Sequence, residues 1–461
     1  MKRILLTTLT TALGFLSLMT SSTPPIQLLG LSVAVGAFVT FIIMITVLPA
    51  LLTILPFSKR SKARSKVNTH YISEKLSHFV VDKRKPILYI LSAVTIIFSL
   101  FIFTIVVDNH PFSYFKKGTD FRNSIDFVDK HFKGSTVIEL GIHSGGADGI
   151  KEPAFMKSVD ILQRYLEDKK ELKVSHTNSV IDIVKTLNQR LNQNNPAFYK
   201  IPDDKKILAE NLFLYTQSVP FGRDLTNQVN VDNSSIRVTI RKEGVSTEES
   251  MALIADIKQY AKKNLSNYKT DVTGRMAIFT TTVPKIVTTM AQGLFLALVV
   301  ITFVIAITFR SIKIALISLI PNSTPMLMMF GLIGMTGNEF NLGISMVAAV
   351  ALGIIVDDTI HFVTKYLKSR QSAQNRIEAV YEVFNKVGSA IISTSVILAI
   401  GFGILIFSSF GINEKFGLFT AFTMVIALVM DLTLFPAVLL IGVKQKDIDE
   451  VREKNNTSNS L

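Results

Sequence analysis

Between Leu342 and Lys368 the chain reads LGISMVAAVALGIIVDDTIHFVTKYLK, and this stretch limits the possible folds more than any other. For about twenty residues it is apolar enough to span a bilayer as a helix. Yet it carries Asp357, Asp358 and His361 ahead of Lys365 and Lys368. On a helix His361 lies four positions beyond Asp357 and three beyond Asp358, which stacks it over the pair. An aspartate near mid-membrane costs about 2.5–3.5 kcal/mol on insertion scales. Two adjacent ones also repel, so a proton is expected to be shared or held between them. Such a cluster needs compensating neighbours, and membrane proteins keep one chiefly where charge or protons move. The reading adopted is a proton relay. The alternative is a buried structural network bonded to other helices.

The chain is 461 residues long and 48% hydrophobic, with no Cys and no Trp. Its length alone suggests two or three soluble domains, but the long apolar runs put much of it in the membrane class. Without cysteine there are no disulfides, thiolate metal sites or cysteine nucleophiles. The net charge of +14 invites a nucleic-acid reading, which its distribution argues against. The segment from Asp108 to Lys285 is near balance, with 26 basic and 22 acidic residues, leaving 23 against 13 elsewhere. That excess lies in short loops flanking apolar spans, the positive-inside pattern. No nucleic-acid partner is expected.

The opening residues, MKRILLTTLTTALGFLSLMTSS, imitate a secretory signal peptide. An internal repeat argues against cleavage. A shift of 387 positions aligns Ile4–Ile54 with Ile391–Ile441 without a gap. Thr7 then meets Thr394, Gly14-Phe15 meets Gly401-Phe402, Gly30-Leu31 meets Gly417-Leu418, and Pro49-Ala50 meets Pro436-Ala437. Duplication is a common construction of transporters. Residues 1–55 are therefore expected to be a retained pair of membrane helices, approximately Ile4–Met19 and Leu28–Leu55. Pro56–Lys85 is a basic linker whose nine Lys and Arg mark it as cytoplasmic. A phospholipid-binding patch is the other reading of that charge. Pro86–Val107 is a third span.

Asp108–Pro284 is soluble in character and falls outside by helix count. Ser135–His143 alternates like a strand, Glu152–Asp168 is helical and Leu172–His176 is strand-like. Ser234–Arg241 is a strand, Ser246–Leu265 a helix and Tyr268–Thr273 a strand. The result is β-α-β followed by β-α-β, the order of a ferredoxin-like unit. The insertion Thr177–Asp224 reads as two helices, Val180–Leu191 and Asp203–Gln217. GGADG at Gly145–Gly149 is a turn, and the histidines here show no metal-ligand spacing.

Lys285–Phe309 is the fourth span and Ile314–Met335 the fifth. The fifth contains Pro321-Asn322-Ser323-Thr324-Pro325, where two prolines remove backbone donors and should kink the helix. Packing and the lining of a pathway are both open as its purpose. After the charged helix, Lys365–Lys386 is a helix at the inner surface. Ser389–Phe407 and Phe416–Val443 complete eight spans, with residues 444–461 a polar tail and both termini cytoplasmic. Asp357 and Asp358 lie about 10 Å inside the end marked by Lys365, at 1.5 Å per residue. Ser393, Thr394 and Ser395 lie at matching depth on the next span. Thr394, repeated as Thr7, is the leading hydroxyl partner for the carboxylates. The competing expectation is that it bonds its own helix carbonyls.

PNSTP, then GMTGNEFN, then ALGIIVDDTIHFVTKYLK resemble the second half of resistance–nodulation–division (RND) transporters, and in particular the MMPL-type exporters related to sterol-sensing-domain proteins. The resemblance implies a polytopic α-helical membrane protein with an α+β porter-type domain outside. It implies a proton-translocating helix, with Asp357 and Asp358 as relay residues, His361 within the same motif and Gly353 as a close-packing glycine. It further implies export of lipids or other hydrophobic or amphiphilic molecules from the cytoplasmic membrane of a bacterium, driven by protons and without a cofactor. In that family each half carries its own porter domain and six spans, so residues 1–55 stand for the last two spans of a first half. A separate N-terminal half encoded upstream, or a homo-oligomer, is the expected partner. A non-transporting lipid- or sterol-sensing protein, or a protein-export accessory, is the alternative on the same fold. An enzyme is not expected, because only His361 lies near carboxylates and no nucleophile or metal cluster accompanies it.

Overall fold

The computed structural model describes residues 2–54, 69–108, 111–220, 225–244, 246–373 and 375–445. The basic run KRSKARSK and all but the first residues of the tail expected at 444–461 lie outside them. The chain forms two compact units, Met1–Val107 with Lys285–Leu461, and Asp108–Pro284.

The first unit begins with α1 (Lys2–Leu16), a 3-10 turn at Ser17–Thr20, α2 (Pro24–Ile54), α3 (Thr69–Asp82) and α4 (Arg84–Leu100). Helix α3 is a finding, since its segment reads as part of a basic linker. Its buried Ser73 donates to the Phe384 carbonyl over 2.7 Å.

The second unit contains α5 (Asp120–Phe132), β1 (Thr136–His143), α6 (Pro153–Asp168), β2 (Val174–Asn178), α7 (Val180–Leu191), α8 (Lys205–Ser218), β3 (Ser235–Lys242), α9 (Thr247–Asn264) and β4 (Lys269–Thr273). The strands form one antiparallel sheet in the order β2-β3-β1-β4. Leu140 stands opposite Val238 on one side and Val272 on the other. Alternate residues of β1 and β3, Ile138, Leu140 and Ile142 with Ile236, Val238 and Ile240, are buried on the face that packs against helices. Leu162 of α6 and Ile257 of α9 complete that core. Lys242 is fully buried and held by Glu249 Oε2 at 2.7 Å and the Glu243 carbonyl at 2.8 Å. Together Lys173 and Lys242 hold the Glu249 carboxyl below its ordinary range.

The rest of the first unit is α10 (Arg275–Phe309, which begins within the second unit), α11 (Ile312–Thr336), α12 (Leu342–Ser372), α13 (Arg376–Val383), α14 (Ser389–Gly403), α15 (Gly411–Val429) and α16 (Phe435–Leu439). A π-helical turn at Phe384–Gly388 joins α13 to α14, and a second at Met430–Leu434 joins α15 to α16. Seven helical segments among the described residues are long and apolar enough to cross a membrane. The remaining expected span, Ile4–Thr20, is apolar but shorter. Large apolar side chains such as Leu28, Phe103, Phe295 and Phe407 point outward. Water would not tolerate so many, and a lipid phase accepts them.

The sequence repeat survives as structure. Adding 387 to the bounds of α1 gives those of α14, and the 3-10 turn Ser17–Thr20 maps onto another at Ile404–Phe407. The start of α2 at Pro24 maps onto the start of α15 at Gly411.

Helix α11 stays helical from Ile312 to Thr336, through Pro321 and Pro325. Ser323 and Thr324 donate to the carbonyls of Leu319 and Ile320, which keeps hydroxyl bonds on the turn where proline takes away backbone donors.

Candidate functional site

Helix α12 starts where Asn341 accepts the Ile344 N–H on its side chain, and it continues for 31 residues. It crosses α1 at a pair of glycines. A Cβ on Gly14 would lie 2.7 Å from the Cα of Gly353, and one on Gly353 would lie 3.3 Å from the Phe15 ring. Backbone therefore meets backbone, and Thr11 donates to the Gly353 carbonyl over 3.0 Å. This contact sits one turn before Asp357 and fixes the position of the carboxylates.

Asp357 and His361 lie on one face of α12, with Nε2 of His361 3.4 Å from Oδ1 of Asp357. Their side chains are 42% and 44% exposed. The Thr7 hydroxyl of α1, which donates to its own Ile4 carbonyl over 3.0 Å, also lies beside Asp357. Asp358 points to the opposite neighbour, where its Oδ2 accepts from Ser395 of α14 over 3.1 Å. The pair thus has the Ser395 hydroxyl, the His361 imidazole and Thr7 beside it, with no Lys or Arg paired to either carboxylate among the described residues.

Thr394 does not make the contact expected of it. Its hydroxyl donates to the carbonyls of Ala390 and Ile391 on its own helix, and the residue is exposed. Adjacent helix positions are about 100° apart, so only one of Thr394 and Ser395 can face α12. Ser395 faces it.

Beyond the pair, Thr359 reaches two buried groups on other helices. Its Oγ1 lies 2.8 Å from Oδ1 of Asn322, between the two prolines of α11, and 3.1 Å from Oδ1 of Asp431. Asp431 lies in the second π-helical turn and is wholly buried. The sequence reading passed over it, although an aspartate inside an apolar span, VMDLTLFPAVLL, carries the same signal as the pair. Pro321 and Pro325 bracket Asn322 on α11. Among the described residues no three acidic or histidine side chains converge to hold a metal ion.

Toward the other end of α12, a cavity of about 230 Å³ opens between the 3-10 turn after α1, the segment after α4, α10, α11 and α12. Its walls, among them Leu18, Leu294, Phe330 and Phe340, are almost wholly apolar.

The profile of the MMPL family matches residues 1–86 and 156–458. This chain belongs to the MMPL family. It is accordingly a multi-pass membrane protein. Its fold is similar to the cryo-EM structure of the hedgehog release protein Disp from the water bear Hypsibius dujardini, with a TM-score of 0.62 and 12% identity. The match covers 95% of this MMPL chain and 58% of the Disp chain, so the chain spans little more than half of that relative. At such identity the likeness is one of fold. No curated protein matches the chain in sequence.

Proposed function

We propose that this MMPL chain is the second half of a proton-driven exporter that moves lipids or other hydrophobic or amphiphilic molecules out of the bacterial cytoplasmic membrane. The observation that carries the reading is the pair Asp357/Asp358 on an apolar helix, with Ser395, Thr7 and His361 beside it and no Lys or Arg paired to it among the described residues. A carboxylate locked to a lysine or arginine gives up its charge with difficulty, whereas one held by hydroxyls can take and release a proton with little rearrangement. One proton crossing 100 mV supplies about 2.3 kcal/mol, enough to shift a conformational equilibrium appreciably. The nearly apolar cavity beside Phe330 and Phe340 is suited to an alkyl chain. The β-α-β, β-α-β order with strand order β2-β3-β1-β4 supports reading the second unit as a ferredoxin-like porter domain outside the membrane. Both termini are then cytoplasmic.

A partner is part of the proposal. The exposed face of Asp357 and His361, and Gly401 with open space around it, are the surfaces a first half or a second copy would cover. In lipid vesicles carrying the chain with such a half, efflux of a fluorescent lipid under an imposed pH gradient is the decisive assay. Asp357→Asn and Asp358→Asn should each abolish gradient-driven efflux while inserting normally. Unaltered efflux in both variants at equal expression would reduce the pair to a structural network. The cavity also favours the second reading, a lipid or sterol sensor that does not transport. Lipid binding that saturates without any dependence on the proton gradient, together with no efflux, would select it.

A further inference from the structure

A hydroxyl carries one hydrogen, and Thr359 cannot donate it twice. Its Oγ1 lies within hydrogen-bonding distance of Oδ1 of Asn322 and Oδ1 of Asp431, and both are acceptors if the aspartate is charged and the amide stands as drawn. Two proton arrangements satisfy the same heavy-atom positions. In one, Asp431 is neutral and donates to Thr359, which donates to the Asn322 oxygen. In the other, Asp431 is charged and accepts from Thr359, and the Asn322 amide is turned over so that its NH₂ donates to Thr359. Amide oxygen and nitrogen are close in size, so this turn needs almost no movement of neighbours.

We propose that Asp431 is a third proton-holding carboxyl beside the pair on α12, and that the Asn322 amide follows its protonation state. This rests on the proton-coupled reading of Asp357 and Asp358. Three features set Asp431 apart from a structural carboxylate. It is fully buried, and its Oδ2 has no hydrogen-bond partner among the described residues. It lies in a π-helical turn, a departure from α geometry frequent at functional sites. Its electrostatic neighbour is another carboxylate, Asp358, rather than a cation.

The surroundings are otherwise spoken for. Helix α12 presents Asp358 and Thr359, and α11 presents Asn322. Arg84 of α4 is committed to the carbonyls of Val81 and Val443. On α3, which packs on the same turn, the titratable groups are His70, Tyr71, Glu74, Lys75, His78 and Asp82, with the His78 ring against Tyr381. One proton and one negative charge thus serve Asp358 and Asp431 together. When the O–H bond of Asp431 breaks and the Asp358 carboxylate gains that proton, the charge passes to Asp431 and the Asn322 amide turns over. In this way the state of the relay reaches the proline-bracketed turn of α11. Asp431 is a proton-holding group, and Thr359 and Asn322 position it.

Infrared difference spectra of the full chain in lipid vesicles, taken across a pH titration, read protonated carboxyls directly. Asp431→Asn should lose one component of the carboxyl carbonyl band. Asp358→Asn should shift the pH midpoint of that component, because it removes the neighbouring charge. Thr359→Val should keep the component but move its frequency, because it removes the hydrogen bond. If Asp431→Asn inserts poorly, Thr359→Val decides alone: a band unmoved in frequency overturns the proposal. It is equally overturned if Asp431→Asn leaves every component in place. A component that is independent of pH in wild type and in Asp358→Asn also overturns it, since the group is then permanently protonated. Efflux under a pH gradient is measured separately, so a chain that exports nothing refutes the exporter reading without touching these bands.

Discussion

Inside the first hairpin, of α1 and α2, a Cβ on Gly30 would meet the Phe15 carbonyl oxygen at 2.6 Å and the Leu18 Cβ at 2.8 Å. Inside the last hairpin, of α14, α15 and α16, a Cβ on Gly417 would meet the Phe402 carbonyl oxygen at 2.6 Å and the Leu405 Cβ at 2.5 Å. Each contact residue is 387 positions from its counterpart, so the two hairpins close on themselves in the same way. Their outer faces differ. Gly14 of the first is pressed onto Gly353, whereas the equivalent Gly401 meets nothing within 4 Å. Thr7 and its counterpart Thr394 both donate to carbonyls of their own helices, at Ile4 and Ile391, but Thr7 also stands beside Asp357, whereas at the other end Ser395 bonds Asp358. Met44, exposed on an unbroken helix, becomes Asp431, buried in a π-helical turn. Duplication preserved the contacts that make a hairpin and released those that give it a neighbour.

The sharpest way to break this comparison is Gly14→Leu against Gly401→Leu. The first drives a side chain into the Gly353 backbone and should cost about 3 kcal/mol or more, seen as loss of the monodisperse folded peak on size exclusion. Next in size, Gly30→Ala and Gly417→Ala should each cost about 1–3 kcal/mol, because the crowding is nearly equal. Thermal unfolding in detergent that separated these two widely would show that the hairpins are not internally equivalent. Ser395→Ala should cost about 0.6 kcal/mol through its lost interhelical bond, with Thr394→Ala close to zero. A larger loss for Thr394→Ala in the same measurement would reverse the assignment of the hydroxyl partner. Smallest of all, Gly401→Leu should leave the chain's own stability within about 0.5 kcal/mol, while abolishing co-purification with a partner half.

Most of the frame was legible in sequence because it rests on periodicity. The strands at Thr136–His143, Ser235–Lys242 and Lys269–Thr273 alternate, and the helices between them carry their apolar stripe. Helix α3 was hidden, since a run of lysines and arginines leading into it makes the segment read as a loop, while its packing surface is set by Ser73 and Val80. The aspartate pair announced itself by cost alone. What sequence could not give was azimuth. Thr394 and Ser395 sit at the same depth, and only the rotation of α14 decides which one faces Asp358. The hydroxyl bonds of Ser323 and Thr324 beside the prolines of α11 were equally out of reach, because how a proline turn is satisfied depends on rotamers and neighbours.

The glycine crossing of α1 and α12 has a mechanical consequence. Where side chains interdigitate, helices can slide by changing rotamers, but backbone against backbone leaves nothing to give. The joint at Gly14 and Gly353 is a weld rather than a hinge, with Thr11 pinned to the Gly353 carbonyl beside it. Any stroke of the charged helix must therefore carry α1 along with it, and through the closed turn at Gly30 the long shaft of α2 as well. In the proposed relay the first hairpin is the lever arm.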